Sequence, residues 1–105
     1  MRVILVCSGG MSSAIAAKSL KEAAQADGID MEVHESSSVK FQEMVKEDYA
    51  LALVAPQIRH HFDRLKKDAD SAGVPILQIK PRGYSPIGGK FLLAQIKKEA
   101  GQVLK

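Results

Sequence analysis

The stretch that decides the fold is RVILVCSGGMSS, residues 2–13. Its first half, Arg2 to Val6, is a continuous apolar run typical of a buried strand. The residues from Ser12 to Ala26 carry apolar side chains at helical spacing, and two glycines precede them. The sequence therefore predicts a strand, a tight turn and the start of a helix, with Cys7 where the strand ends.

A thiol in that position is a candidate nucleophile. The N–H groups at the start of a helix are unpaired and carry partial positive charge, so they attract anions and favour a thiolate over a thiol. Gly9 and Gly10 let backbone N–H groups converge on a phosphoryl group without obstruction from side chains. Ser12 or Ser13 either caps the helix or donates a hydroxyl to the phosphate. The alternative for Cys7 is an inert small core residue.

We therefore predict a phosphoryl site in which Cys7 is the catalytic nucleophile. The predicted phosphate-binding residues are Ser8, Gly9, Gly10, Met11, Ser12 and Ser13.

Composition limits the class of protein. The chain has 105 residues, of which 46% are apolar and 26% charged, as expected of one soluble globular domain over residues 1–105. No apolar run is long enough to span a membrane. A single cysteine cannot form an internal disulfide, in agreement with a reducing cytoplasm. The net charge is +3, with a basic C-terminal third, and the few aromatic residues are not interleaved with the basic ones, so nucleic-acid binding is not indicated.

Strand-like and helix-like segments alternate along the whole chain. The predicted strands are Arg2–Val6, Ile29–Glu35, Tyr49–Ala55 and Val74–Ile79, and the predicted helices are Ser12–Ala26, Val39–Lys46, Gln57–Ala72 and Gly89 or Lys90 to Val103. This alternation predicts an α/β fold with a four-stranded parallel sheet in the order 2-1-3-4, helices on both faces, of the flavodoxin-like or low-molecular-weight phosphatase-like kind. In such sheets ligands bind beyond the carboxyl ends of the strands. Cys7 should lie there, together with the loops at Pro56–Arg59 and Lys80–Tyr84.

The loop also has the outline of a cysteine phosphatase, whose sixth residue after the cysteine is an arginine and whose general acid is an aspartate. Here the sixth residue is Ser13, and the only acid after Asp70 is Glu99. A site without the arginine clamp and the acid should hydrolyse phosphomonoesters poorly, but it can still hold a phosphoryl group and pass it on. The residues favour a carrier over a phosphatase.

Other motifs point to no second chemistry. Residues 83–90 resemble a phosphate-binding P-loop but lack its lysine and hydroxyl at the required positions. His60 and His61 are adjacent on a predicted helix and should point in different directions, and no further metal ligand is evident. His34 is expected on the surface. Arg59 either approaches the anion site or is solvated.

Two motifs carry a family resemblance. Cys7 to Ser13 resembles the C-S-A-G-M-S-[ST] loop of the enzyme IIB proteins of the lactose, cellobiose and diacetylchitobiose class of the bacterial phosphoenolpyruvate-dependent sugar phosphotransferase system. Leu53 to Ile58 resembles that family's L-L-G-P-Q-[IV], and Tyr84 with its glycine-containing segment is similar to the loop after the fourth strand. Gly9 stands in place of the usual alanine, and Ala55 in place of the usual glycine. The segment Lys80–Gly83 also departs from the family pattern.

The resemblance implies a cytoplasmic, monomeric phosphotransferase with no cofactor and no membrane insertion. It implies that Cys7 takes a phosphoryl group from a phosphohistidine of the IIA protein and passes it to a sugar, a β-linked disaccharide or a related one, bound in the membrane permease IIC. Both partners should dock on Met11, Ile58, Arg59 and Tyr84. The open alternatives are a relative of low-molecular-weight cysteine phosphatases or arsenate reductases, and a non-catalytic anion-binding module.

Overall fold

A computed structural model describes residues 1–7, 11–84 and 87–101, with the backbone only at residues 11–13. Within these residues four strands form one parallel sheet in the order β2-β1-β3-β4. The strands are β1 (Arg2–Cys7), β2 (Glu32–Ser37), β3 (Leu51–Val54) and β4 (Ile76–Gln78). The α-helices are α1 (Met11–Ala26), α2 (Phe41–Met44), α3 (Phe62–Ala72) and α4 (Gly89–Ala100), with short 3₁₀ segments at Pro56–His61 and Pro81–Gly83. The predicted fold class and strand order are confirmed.

Alternating side chains of the central strands build two core layers. Val3 and Leu5 of β1 face the layer formed with α1 and α4, whereas Ile4 and Val6 face the layer formed with α2 and α3. All four side chains are fully buried. β1 and β3 are thus covered on both faces, which is why their sequences are continuously apolar.

Helices α1 and α4 cross in close contact. A Cβ atom added at Gly89 would lie 2.1 Å from the carbonyl oxygen of Ser19, so this position has no room for a side chain. The Gly89 N–H also donates a hydrogen bond to the Ser19 hydroxyl at 2.8 Å. The first turn of α4 is therefore capped by a side chain from another helix.

Strand β2 begins later than the predicted Ile29. The Ile29 N–H donates to the Ala24 carbonyl at 2.8 Å, so Ile29 belongs to the turn that closes α1. Pairing with β1 starts at Arg2 opposite Glu32 and ends at Cys7 opposite Ser37. The register with β1, rather than the apolar alternation, sets the ends of this edge strand.

The predicted single helix Gln57–Ala72 is wrong in its first part. The chain forms the 3₁₀ segment Pro56–His61, in which Ile58 has φ −117° and ψ 26°, and α3 starts only at Phe62. These angles interrupt the α-helical hydrogen-bond ladder. Helix α2 is one turn, shorter than the predicted Val39–Lys46, and β4 has three residues in place of the predicted six. The predicted end of the last helix at Val103 lies outside the described residues.

Candidate functional site

Cys7 is the last residue of β1, at the point where the strand order reverses. β2 lies on one side of β1 and β3 on the other, so the chain leaves β1 in one direction and returns past it in the other. That reversal opens a crevice at the carboxyl end of the strand. Topology therefore places the cysteine where parallel α/β sheets bind ligands.

Hydrogen bonds from both flanking loops fix the end of β1. The Ser38 N–H donates to the Cys7 carbonyl at 3.1 Å, and the Ala55 N–H donates to the Val6 carbonyl at 2.9 Å. The Cys7 side chain is only 5% exposed. The thiol is therefore held by a rigid backbone and is largely shielded from bulk water.

Helix α1 begins at Met11, four residues after Cys7. The N–H groups of its first turn have no partner within the helix and are directed back toward the segment that follows the cysteine. The predicted phosphate-binding residues Ser8, Gly9 and Gly10 lie outside the described residues, and of 11–13 the structure describes the helical backbone. Their contacts with a phosphoryl group stay a prediction.

The loops after β3 and β4 meet at the same rim. They line an open groove of about 300 Å³ whose walls are Pro56, Gln57, Arg59, Pro81 and Tyr84. Arg59 is exposed, whereas Tyr84 is half-buried and packs against both core layers. The expectation that Pro56–Arg59 and Lys80–Tyr84 share one rim is confirmed, and Arg59 extends along its groove.

Ile58 does not belong to the exposed part of this rim. Its side chain is 3% exposed and packs in the core layer that also contains Cys7. Ile58 lies at the kink of the 3₁₀ segment and is turned inward, while the next residue, Arg59, stays in solvent. The prediction that Ile58 contacts a partner directly is therefore wrong for this conformation, and Ile58 supports the rim from below.

Two glutamines that the sequence did not single out connect the ends of the strands. The Gln78 side-chain amide donates to the Val54 carbonyl at 3.0 Å and to the Ile79 carbonyl at 3.2 Å. Gln95 of α4 donates to the Gln78 carbonyl at 2.7 Å and accepts from the Lys80 N–H at 3.2 Å. Gln95 thereby satisfies backbone hydrogen-bonding groups at the outer edge of β4, as a neighbouring strand would. It also anchors the segment that leads to Tyr84. Apart from the neighbouring Ile79 carbonyl, the partner atoms are 15 or more residues away in sequence, so no local signal indicated either role.

His60 and His61 lie closer together than expected. Their ring centroids are 4.1 Å apart and their ring planes are tilted by 43°, at the end of the 3₁₀ segment. Loss of hydration, followed by the charges of His60 and Arg64, lowers the pKa of His61 from its ordinary value of 6.5. Among the described residues no group of three or more His, Cys, Asp or Glu side chains is arranged to hold a metal ion.

His34 was expected on the surface but is half-buried. Its ring packs edge-on against Tyr49 with centroids 5.7 Å apart, and its Nε2 lies 3.6 Å from a Glu32 carboxylate oxygen. Residue 34 lies in β2 opposite Ile4, in mid-strand rather than at the rim. His34 therefore has a packing role at the sheet edge.

The family model "PTS system, Lactose/Cellobiose specific IIB subunit" matches residues 2–95. The chain belongs to this IIB family. A galactose-specific EIIB component of Lactococcus lactis subsp. cremoris is 30% identical over 98 residues, which cover 88% of this chain and 89% of that protein. A lactose-specific EIICB component of Staphylococcus epidermidis is 27% identical over 82 residues, 78% of this chain but only 14% of that longer protein.

Solved structures agree with the fold of this IIB chain. The lactose-specific IIB domain of Streptococcus pneumoniae superposes with a TM-score of 0.75 at 22% identity, covering 90% of this chain and 95% of that one. A mutant of the arginine phosphatase YwlE with a phosphorylated active-site serine superposes with a TM-score of 0.56 at 15% identity, covering 98% and 99%. The IIB chain thus shares its fold with a phosphatase. Within the described residues, no helix is both long and apolar enough to cross a membrane.

Proposed function

We propose that this IIB chain is a cytoplasmic phosphocarrier that takes a phosphoryl group from a IIA phosphohistidine onto Cys7 and delivers it to a sugar bound in a IIC permease. The observation that carries the proposal is the position of Cys7. The chain's only cysteine ends β1 at the reversal of strand order, just before the start of α1, inside the region that matches the IIB family. The names of the longer relatives, EIICB components, support the IIC partner.

The transfer has two displacement steps at phosphorus. The Cys7 thiolate attacks the phosphoryl group of the donor, so that a sulfur–phosphorus bond forms, the nitrogen–phosphorus bond breaks and the imidazole leaves with the electron pair. A sugar hydroxyl then attacks the phosphocysteine. An oxygen–phosphorus bond forms, the sulfur–phosphorus bond breaks so that the Cys7 thiolate leaves with the electron pair, and the proton of the hydroxyl passes to solvent. The main contributions of the chain are positioning and stabilisation of the phosphoryl charge by N–H groups.

The rim supports transfer rather than hydrolysis. Ser13 stands where a phosphatase carries its arginine, and the segments Pro56–Arg59 and Lys80–Tyr84 contain no acid to protonate a leaving oxygen. The phosphocysteine should persist until an acceptor displaces it.

Donor and acceptor use one docking surface in this proposal, since both must approach the same sulfur atom. In this proposal the surface is formed by Arg59 and Tyr84, which line the groove at the rim, and by Met11, the first residue of α1. The hydroxyl of Tyr84 is buried, so this residue offers the apolar part of its ring to the groove. Methionine adapts to unlike partners. Arg59 supplies a positive charge for a phosphorylated donor, so Arg59→Gln should slow acceptance, whereas Lys67→Gln, at an exposed position of α3, should not.

The test is the intact mass of the protein after incubation with phosphorylated IIA. We expect a gain of one phosphoryl group, blocked by prior alkylation with iodoacetamide and much slower in Cys7→Ser, because a serine hydroxyl is a weaker nucleophile than a cysteine. Gly10→Val should slow acceptance by obstructing the N–H groups. Full acceptance by the Cys7→Ser variant would contradict the assignment of the nucleophile.

A second measurement addresses the phosphatase alternative. The protein should hardly turn over p-nitrophenyl phosphate, and isolated phosphocysteine should remain after the donor is removed. Turnover near about one per second, an ordinary enzyme rate, would overturn the carrier proposal in favour of a phosphatase.

A further inference from the structure

Two large apolar side chains are exposed at the start of α4: Phe91 in its first turn, among basic residues, and Ile87 just before the helix. Ile87 is 81% exposed and Phe91 40% exposed, both unusual for large apolar side chains. The surrounding cations are Lys80, Arg82, Lys90 and Lys98, all exposed. We call these six residues the Phe91 face.

The cations of this face are organised around the aromatic ring. The Arg82 guanidinium carbon and the Lys90 ammonium nitrogen each lie 5.3 Å from the centroid of the Phe91 ring. Beside it is a groove of about 220 Å³ whose lining includes Lys80, Arg82, Phe91 and Lys98, with Glu99 as its one acid. Phe91 and these basic groups thus form one surface, and exposed Ile87 lies four residues before Phe91 in the chain.

The charge of the chain is strongly asymmetric along the sequence. Residues 71–105 contain six Lys or Arg and one acid, whereas residues 1–70 contain nine Lys or Arg and eleven acids. Lys97 is paired with Asp27. Among the described residues, the surplus positive charge of the C-terminal third therefore lies mainly on the Phe91 face. A basic surface with exposed large apolar side chains fits an anionic lipid bilayer, because the cations meet the headgroups while the apolar groups enter the interface.

The Phe91 face adjoins the rim of the sheet. The 3₁₀ segment Pro81–Gly83 lies between them, since Pro81 lines the groove with Tyr84 while Arg82 and Gly83 line the groove with Phe91. A bilayer that holds the Phe91 face would therefore lie next to the carboxyl end of β1. No comparable face exists among the described residues of α3, where acids and bases alternate.

We infer that the Phe91 face binds the surface of anionic phospholipid membranes, with Ile87 and Phe91 in the interface and the four cations at the headgroups. The contact is peripheral and inserts no helix. Its consequence for transfer rests on the proposed function: the bilayer would hold the Cys7 rim near a membrane-bound acceptor and raise the encounter rate without altering acceptance from a dissolved donor.

The chain contains no tryptophan, so a single introduced indole reports on its own position. Ile87→Trp should show a blue-shifted emission with vesicles of phosphatidylglycerol and phosphatidylcholine, and no shift with phosphatidylcholine alone. Val39→Trp is the matched control, because Val39 is 84% exposed and precedes α2 on the opposite side of the sheet. Its emission should stay unchanged with both kinds of vesicle.

Two double variants that lose the same net charge test whether binding depends on the Phe91 face or only on the overall positive charge of the protein. Lys90→Gln/Lys98→Gln should weaken sedimentation with the anionic vesicles by about 25-fold, roughly fivefold for each lysine. Lys46→Gln/Lys67→Gln, on the other side of the molecule, should change it by less than about twofold. Added salt should weaken binding of the unaltered protein, and Ile87→Ser should also weaken it.

Several results would overturn the inference: equal shifts at positions 39 and 87, equal losses in the two lysine pairs, unchanged binding by Ile87→Ser, or no binding to anionic vesicles at low salt. A shift at position 87 with a short DNA duplex but not with vesicles would assign the face to nucleic acid instead. The outcome is independent of the phosphocarrier proposal. Cys7→Ser should bind vesicles normally, and Lys90→Gln/Lys98→Gln should accept a phosphoryl group from dissolved IIA at the normal rate.

Discussion

The two faces of the sheet are covered in contrasting ways. On one face α1, of 16 residues, and α4, of 12, cross so closely that only glycine fits at position 89. On the other face α2 is a single turn, and α3 follows the irregular segment Pro56–His61. Regular helices form the first layer, whereas the second contains turns and short segments.

The candidate site belongs to the irregular side. Cys7 and Ile58 pack in the layer with α2 and α3, and Tyr84 bridges both layers at the rim. The irregular segment lets the chain turn over the end of the sheet, so that Arg59 reaches the groove while Ile58 stays in the core. The contrast suggests that the α1–α4 layer supplies most of the rigidity and that the α2–α3 layer supplies the shape of the rim.

The largest expected loss of stability comes from disrupting the close contact between α1 and α4. Gly89→Ala places a methyl group against the backbone of Ser19, which cannot move aside as a flexible side chain would. We expect the free energy of unfolding in urea to fall by about 3 kcal/mol. Gly101→Ala is the control, because its Cβ would have open space and its φ is −56°. Equal losses in the two variants would show that the crossing is not tightly packed.

The next effect concerns the link between α4 and the sheet edge. Gln95→Leu removes both hydrogen bonds to the backbone of Gln78 and Lys80 and leaves those groups without their partner. We expect a loss of about 2 kcal/mol in the free energy of unfolding. Gln25→Leu, at an exposed position of α1, should be nearly neutral. Faster hydrogen exchange at the Lys80 amide in Gln95→Leu would locate the loss at this edge, and unchanged exchange there would contradict it.

The elements that sequence reasoning predicted well are those whose signals are local. The apolar run of β1 and the helical spacing of α1 placed these elements within one residue of their observed bounds. The alternation of elements was enough to indicate the order 2-1-3-4, since parallel crossovers leave few topologies. Cys7 could be selected because it lies between two such well-marked elements.

The errors lie where distant contacts decide the local structure. The ends of β2 follow its pairing with β1, and the crossing of Ser19 with Gly89 joins residues 70 positions apart. Gln95 completes the edge of β4 from another element, which no period along the chain can reveal. The predicted helix after Pro56 is real only from Phe62 onward. Ile58, which the docking prediction placed at the surface, lies in the core.

A third prediction compares the two faces directly through their glycine caps. Gly28 follows α1 with φ 74° and Gly73 follows α3 with φ 71°, and in both the space for a Cβ is open. Gly28→Ala and Gly73→Ala should each cost about 1 kcal/mol in the free energy of unfolding, because an L side chain is strained at positive φ wherever it lies. Costs that differ by more than about twofold would show that the two layers respond differently to the same local strain.

The smallest effect is expected from the pH dependence of the irregular segment. The pKa of His61 is lowered by loss of hydration and by the neighbouring charges of His60 and Arg64, so the folded chain resists protonation more than the unfolded chain does. Above the ordinary value of 6.5 both states are neutral at this ring and stability is unaffected. As the pH falls below that value the unfolded chain binds the proton first, and stability declines until the lowered pKa of the folded state is passed. The melting temperature should therefore drop more between about pH 7.5 and 5.5 in the unaltered protein than in His61→Asn. Arg64→Gln should reduce the drop in part, because it removes one of the repelling charges. If His61→Asn keeps the full pH dependence of the melting temperature, a group other than His61 causes it, and protonation of His61 does not destabilise the fold.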